Sequence, residues 1–143
     1  MAQGLTLEEI EIGASAERMH TVTEGDIQAF ADVSGDHNPV HLDAAYAETT
    51  MFKGRIAHGM LSAAYISATI AGDLPGPGAV YIAQSLSFRR PVRIGDTVVT
   101  RVIVTAIDAE KARVTLKTEC AVEAKTVVEG EAVVMVPRKA AAS

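Results

Sequence analysis

The chain has 143 residues, 48% apolar and 22% charged with no tryptophan, a length that suits one globular domain burying about 68–70% of its unfolded surface. A formal charge of −5 argues against a nucleic-acid or polyanion binder, although Lys53, Arg55, Arg89, Arg90 and Arg93 leave room for a small anionic ligand. The single cysteine, an N-terminus Met1 to Glu11 without signal-peptide order, and apolar runs too short to span a membrane together predict a cytoplasmic protein with no membrane partner.

In chain order, residues 16–22 are a weak strand candidate. Thr23-Glu24-Gly25-Asp26 is a capping-box variant, opening a helix whose apolar face is Ile27, Phe30, Ala31 and Val33 and which ends at Gly35. The stretch that follows, Ser34-Gly35-Asp36-His37-Asn38-Pro39-Val40-His41-Leu42-Asp43, is the most informative in the chain. Pro39 has no N–H and pushes Asn38 toward an extended backbone, so no single regular helix carries both Asp36 and His41. At helical pitch these side chains would point about 140° apart, whereas across a turn they can converge on one water. A carboxylate and an imidazole sharing a water make a general acid–base arrangement. The same residues also read as caps: Gly35 closes one helix, Asp36 or Asn38 caps the next, and Pro39 takes its first turn. Capping leaves His41 unexplained, and the two readings can hold together.

Asp43 caps a short helix running through Tyr46 to about Thr49. The next helix, Gly59 to about Ala71, has no charged face and is expected to be buried on all sides. Leu74-Pro75-Gly76-Pro77-Gly78 stops it. Four extended segments follow: Ala79 to Phe88, Thr97 to Ile107, Arg113 to Val122 and Thr126 to Val136. The third alternates cleanly, with Val114, Leu116, Thr118, Cys120 and Val122 on one face, so Cys120 reads as core filler. The tail from Arg138 to Ser143 is expected to be flexible. This order predicts an α+β domain over the whole chain, an antiparallel sheet wrapped around one long helix. Its open edges make a homodimer the natural expectation.

Gly35-Asp36-His37-Asn38-Pro39-Val40-His41, then His58-Gly59-Met60 at the head of an apolar helix, then Gln84-Ser85-Leu86-Ser87-Phe88, Pro91-Val92 and Gly95-Asp96, resemble the MaoC-like (R)-specific enoyl-CoA hydratases. The resemblance extends from about Thr21 to Pro137. It implies a hot-dog fold and the addition of water to a trans-2-enoyl-CoA, giving an (R)-3-hydroxyacyl-CoA. It places the water-activating pair on Asp36 and His41, the family serine on Ser67 and the thioester oxyanion donor on the N–H of Gly59. Asn38, His58, Met60 and Gln84, which stand within the same motifs, become the expected substrate-binding residues. Acyl-CoA is the implied partner; coenzyme A belongs to the substrate, and no metal or redox cofactor is implied. A hydroxyacyl-carrier-protein dehydratase, an acyl-CoA thioesterase and a non-catalytic acyl-thioester binder remain alternatives, and acyl length and pathway stay open.

The residues can support that chemistry. Attack on the β-carbon drives negative charge onto the thioester oxygen, and the mouth of a helix offers free N–H groups with partial positive charge. Ser67 lies eight residues beyond Gly59, about 12 Å along the axis, too far to share an oxyanion site, so it is expected to position the substrate or the acid–base pair. Ser62 is nearer but does not align with the family serine. His58 invites a metal reading with Asp36, His41 and Asp43, but the spacing matches no strong zinc pattern. His20 and His37 read as surface residues, and the arginine group around Arg89 as an exposed face.

Overall fold

A computed structural model describes residues 3–139 of the chain. After a 3-10 turn at Leu7–Glu9 come β1 (Ser15–Thr21), α1 (Glu24–Ser34), α2 (Pro39–Leu42), α3 (Ala44–Glu48), α4 (Gly59–Gly72), β2 (Val80–Gln84), β3 (Ser87–Phe88), β4 (Thr97–Asp108), β5 (Arg113–Val122) and β6 (Lys125–Met135). The caps fall where local chemistry puts them. The Thr23 hydroxyl accepts the Asp26 N–H at 3.1 Å while the Asp26 carboxylate accepts the Thr23 N–H at 2.9 Å, closing the capping box of α1. Gly35 ends α1 at φ 80°, a left-handed position that glycine adopts without a Cβ penalty. Asn38 caps α2 with Pro39 in its first turn, and Asp43 caps α3.

The strands form one antiparallel sheet in the order β1-β4-β5-β6-β2, with β3 also paired to β6. The alternation read in residues 113–122 is real: Val114, Leu116, Thr118 and Cys120 are buried and Val122 is half-buried. With Val98, Val102 and Val104 of β4 and Val128, Ala132 and Val134 of β6, they build the wall on which Leu61, Ile66 and Ile70 of α4 pack. The architecture is thus α+β, with the sheet laid over one long helix.

Three expectations need amendment. The segment expected as one strand from Ala79 to Phe88 breaks after Gln84, because the backbone there crosses Gly130 of β6 at close range. A Cβ on Gly130 would stand 1.8 Å from the Ser85 carbonyl oxygen. The helix α4 is not covered all round: Met60, Ala64, Ala68 and Ala71 are exposed along one stripe. An open sheet covers only the side of a helix that faces it, so the opposite stripe needs cover from elsewhere. At the C-terminus, the Arg138 guanidinium donates to the carbonyls of Ala109 and Glu110, each at 2.7 Å, and the Lys139 N–H to the Glu8 carboxylate at 2.9 Å. The rest of the expected flexible tail, 140–143, lies outside the described residues. Among the described residues no helix is long and apolar enough to cross a membrane.

Candidate active site

Asp36 stands in the turn after α1, its side chain exposed. The Asp36 N–H donates to the Ser34 hydroxyl at 3.1 Å, and Asp36 Oδ1 accepts the Asn38 N–H at 3.2 Å. These short-range bonds fix the carboxylate on a tight loop. Asn38 is spent on the same loop: its Oδ1 accepts the Val40 N–H at 3.2 Å, capping α2. One turn of α2 then carries His41 back toward Asp36. His41 is 7% exposed, and its Nδ1 lies 2.8 Å from the Ile56 carbonyl oxygen. A carbonyl can only accept, so Nδ1 carries the hydrogen and Nε2 holds the free lone pair. Arg55 clamps the same turn from behind, donating from Nε to the His41 carbonyl at 2.6 Å while pairing with Glu24 at 2.8 Å.

His58, the N-cap of α4, is 2% exposed and completes the cluster. Its Nε2 lies 2.9 Å from the Asp36 carbonyl oxygen, so that nitrogen carries the hydrogen, and its buried Nδ1 has no partner among the described residues. The rings of His41 and His58 stack with centroids 3.9 Å apart and planes inclined by 29°. One donor atom from each of Asp36, His41 and His58 lies within 4.8 Å of the others. Burial pushes the His41 imidazole below its ordinary range, with His58 acting the same way; the Ile56 carbonyl and the Asp36 carboxylate oppose the shift. This donor set, rather than one including Asp43, is where a cation would sit. However, a metal binds nitrogen in the ring plane at about 2.0–2.1 Å, and two stacked rings do not aim their lone pairs at one such point. Asp43 is occupied as the cap of α3.

Beside the cluster opens the mouth of α4. The cap residue His58 offers no side-chain acceptor to the first-turn N–H groups, which include that of Gly59. A cavity of about 300 Å³ adjoins it, walled by Phe52, Ile56, Ala57, Phe88, Pro91, Val92 and Val128, with His58, Gly59 and Ser62 at the helix end and Arg89 and Arg90 also on the lining. Glycine at the head of α4 could serve ligand approach, since it has no Cβ. In the structure that space is filled by Phe88, whose ring carbons stand 2.7 Å from where a Cβ would be.

The expected residues therefore fall into groups. Asp36, His41 and His58 converge, and Gly59 adjoins them. Ser67 is half-buried beside exposed Ala68 and outside the cavity lining, and Met60 is 55% exposed. Gln84 is engaged in the sheet: it accepts from the Tyr81 hydroxyl at 2.8 Å and donates to the Ser85 carbonyl at 2.9 Å and the Thr118 hydroxyl at 3.0 Å. Ser62, 3% exposed, is the serine that lines the cavity. Its signal in the sequence is the three-residue spacing from Gly59, which puts both on one helix face. His20 and His37 are exposed and paired with Asp26 and Asp32. Arg89 pairs with Glu129 at 2.9 Å.

Comparison with known proteins bears on this arrangement. The family described as MaoC like domain matches residues 7–136. The chain is 55% identical to an (R)-specific enoyl-CoA hydratase of Rhodospirillum rubrum, with 92% of each chain covered. It is 44% identical to a 3-hydroxybutyryl-CoA dehydratase of Methylorubrum extorquens, covering 94% of this chain and 86% of the relative. The structure of an unliganded R-hydratase from Pseudomonas aeruginosa superposes with a TM-score of 0.89 at 49% identity, covering 98% of this chain and 93% of that one.

Proposed function

The chain belongs to the MaoC-like domain family and has its hot-dog fold, and on that premise we propose that it is an (R)-specific enoyl-CoA hydratase, a hydro-lyase that adds water to trans-2-enoyl-CoA. The observation that carries the proposal is the convergence of Asp36 and His41 beside the free N–H groups of the α4 mouth. Water held between the Asp36 carboxylate and His41 Nε2 gives a proton to Nε2 as its oxygen bonds to the β-carbon. The displaced electron pair moves onto the thioester oxygen, where the Gly59 N–H stabilises it. When the enolate collapses, the α-carbon takes the proton from His41, which returns to its neutral form. Water is thereby added across the double bond, and the same steps reversed dehydrate a 3-hydroxyacyl-CoA. Asp36 neither gains nor loses a proton in these steps; its carboxylate orients the water and supports the transient imidazolium.

The chemistry needs no metal or redox group, and coenzyme A enters only as part of the substrate. Gln84, whose amide is engaged at both ends within the fold, acts through the sheet it braces, and the Asn38 Oδ1 acts through the α2 cap it forms. Ser67 and Met60 stand on the uncovered side of α4. With Val80, Tyr81 and Ile82 exposed on the edge strand β2, that stripe favours a homodimer, which light scattering after gel filtration would register as twice the mass of the chain. The lone buried Cys120 favours the cytoplasm.

The test is loss of the conjugated ultraviolet absorption of crotonyl-CoA, with chiral analysis giving the (R) product. Asp36→Asn and His41→Gln should each nearly abolish turnover; full activity in both would overturn the roles of this acid and base. Release of free thiol would replace the assignment with a thioesterase. Strong preference for carrier-protein thioesters would replace it with a dehydratase of that class.

A further inference from the structure

We infer that His58 is a positioning residue that holds the acid and the base of the site in register through two contacts made by one ring. The inference rests on the hydratase reading and deepens it. His58 adds to each partner a hold that the partner's own local bonds do not give. The Nδ1–H···O bond to Ile56 anchors the His41 ring at one atom but leaves it free to rock about that bond. The flat face of His58, 3.9 Å away, removes that freedom. Asp36 is an exposed loop residue whose local bonds, to Ser34 and Asn38, move with the loop itself. The His58 Nε2–H, donated to the Asp36 carbonyl at 2.9 Å, ties that loop to the rigid end of α4. Phe30 packs against the ring of His58 at 4.9 Å and keeps it in place.

The groups facing His41 are the His58 ring, the Asp36 carboxylate and the Ile56 carbonyl, with Arg55 bonded to its main-chain oxygen. Of these, the His58 ring covers a face of the imidazole that water would otherwise reach. It thereby supports the burial that holds the His41 pKa down. A phenyl ring would stack without donating, and a carboxamide would donate without stacking, so two substitutions separate the contacts.

His58→Phe should lower kcat about 10- to 100-fold, the range expected when a reacting group is misplaced by a fraction of an ångström to an ångström. It should leave KM within about twofold and the acid limb of the kcat/KM profile in place. His58→Gln should move that limb to higher pH, because water reaching His41 restores its ordinary affinity for a proton. Wild-type kcat and wild-type pH profile in both variants would overturn the inference. A nitrogen-15 spectrum of the wild-type protein tests it where a variant fails to fold. His58 should be the Nε2–H tautomer, as its bond to the Asp36 carbonyl requires; an Nδ1–H tautomer would overturn the inference. That spectrum needs no turnover, so an enzyme inactive on enoyl-CoA would sink the hydratase reading while leaving this one to its own result.

Discussion

Gly59→Ala separates two reasons for a glycine at the mouth of α4. The added Cβ would stand 2.7 Å from Cδ1 and Cε1 of Phe88. Carbon atoms rest about 3.5–4.0 Å apart, so the ring must withdraw by about 1 Å. Phe88 can do so: it is 54% exposed and stands at the end of a two-residue strand, so its side chain swings before any backbone moves. The strain then falls toward the low end of the roughly 1–3 kcal/mol typical of overpacking. Replacing glycine by alanine within a helix returns up to about 1 kcal/mol, leaving little net loss of stability. Catalysis should suffer more, because Phe88 is a wall of the cavity and a displacement of about 1 Å can cost up to about 100-fold in rate. Gly59→Ala, Phe88→Ala and the double variant should be compared for melting temperature and for kcat/KM on crotonyl-CoA. The expected result is a near-native melt for Gly59→Ala with a fall in kcat/KM. The double variant should lose less than the two single losses combined, since removing the ring removes the clash. Additive losses would refute the reasoning, and would show that the methyl group obstructs something other than Phe88.

The His41 shift fixes the sign of two pH effects. A base works in its neutral form, so kcat/KM should hold below about pH 6.5, the usual imidazole value, and fall only through the lowered pKa. Between those two values the unfolded chain binds more protons than the native one, so this contribution to stability is complete above about 6.5 and shrinks as pH falls. Urea titrations should find that slope reduced in His41→Gln. Gln84→Ala should cost about 1–3 kcal/mol in urea unfolding, because Thr118 is buried beside it, while KM for crotonyl-CoA stays near native. A raised KM with unchanged stability would return Gln84 to the substrate. Cys120, whose thiol burial pushes up to about 11, should resist a disulfide reagent at pH 8 until the protein is unfolded.

What was legible in the sequence was legible because it was local. The caps at Thr23, Asn38 and Asp43 act within three residues, and the alternation of β5 has a period of two, so both declare themselves in short windows. The motifs around Asp36 and Gly59 identified the two loops that meet. The bonds that make them meet are long-range and leave no periodic trace: His41 to Ile56, Arg55 back to His41, His58 to Asp36, and the Ala57 N–H to the Val92 carbonyl at 2.6 Å. Composition misled in one place. An apolar helix implies cover on every side, but it does not say whether the cover comes from the same chain. The exposed stripe from Met60 to Ala71 is that ambiguity made visible.

In the Asp36–His41 stretch, the caps build the turn on which the proposed acid–base pair depends. A helix as short as α2 has no stability of its own, since nucleation costs more than so few backbone bonds return. It forms because Asn38 and Pro39 preset its first turn and because outside groups hold its far end. Arg55 takes the His41 carbonyl, and the Ile56 N–H takes that of Val40 at 3.3 Å. That single turn is what reverses the direction of His41 and brings its ring within reach of the carboxylate. Had the chain continued as a regular helix from α1, the same two residues would have faced apart. The capping residues therefore make the geometry that the proposed acid and base require, and the segment 50–57, outside every motif, supplies the carbonyl and guanidinium that keep it.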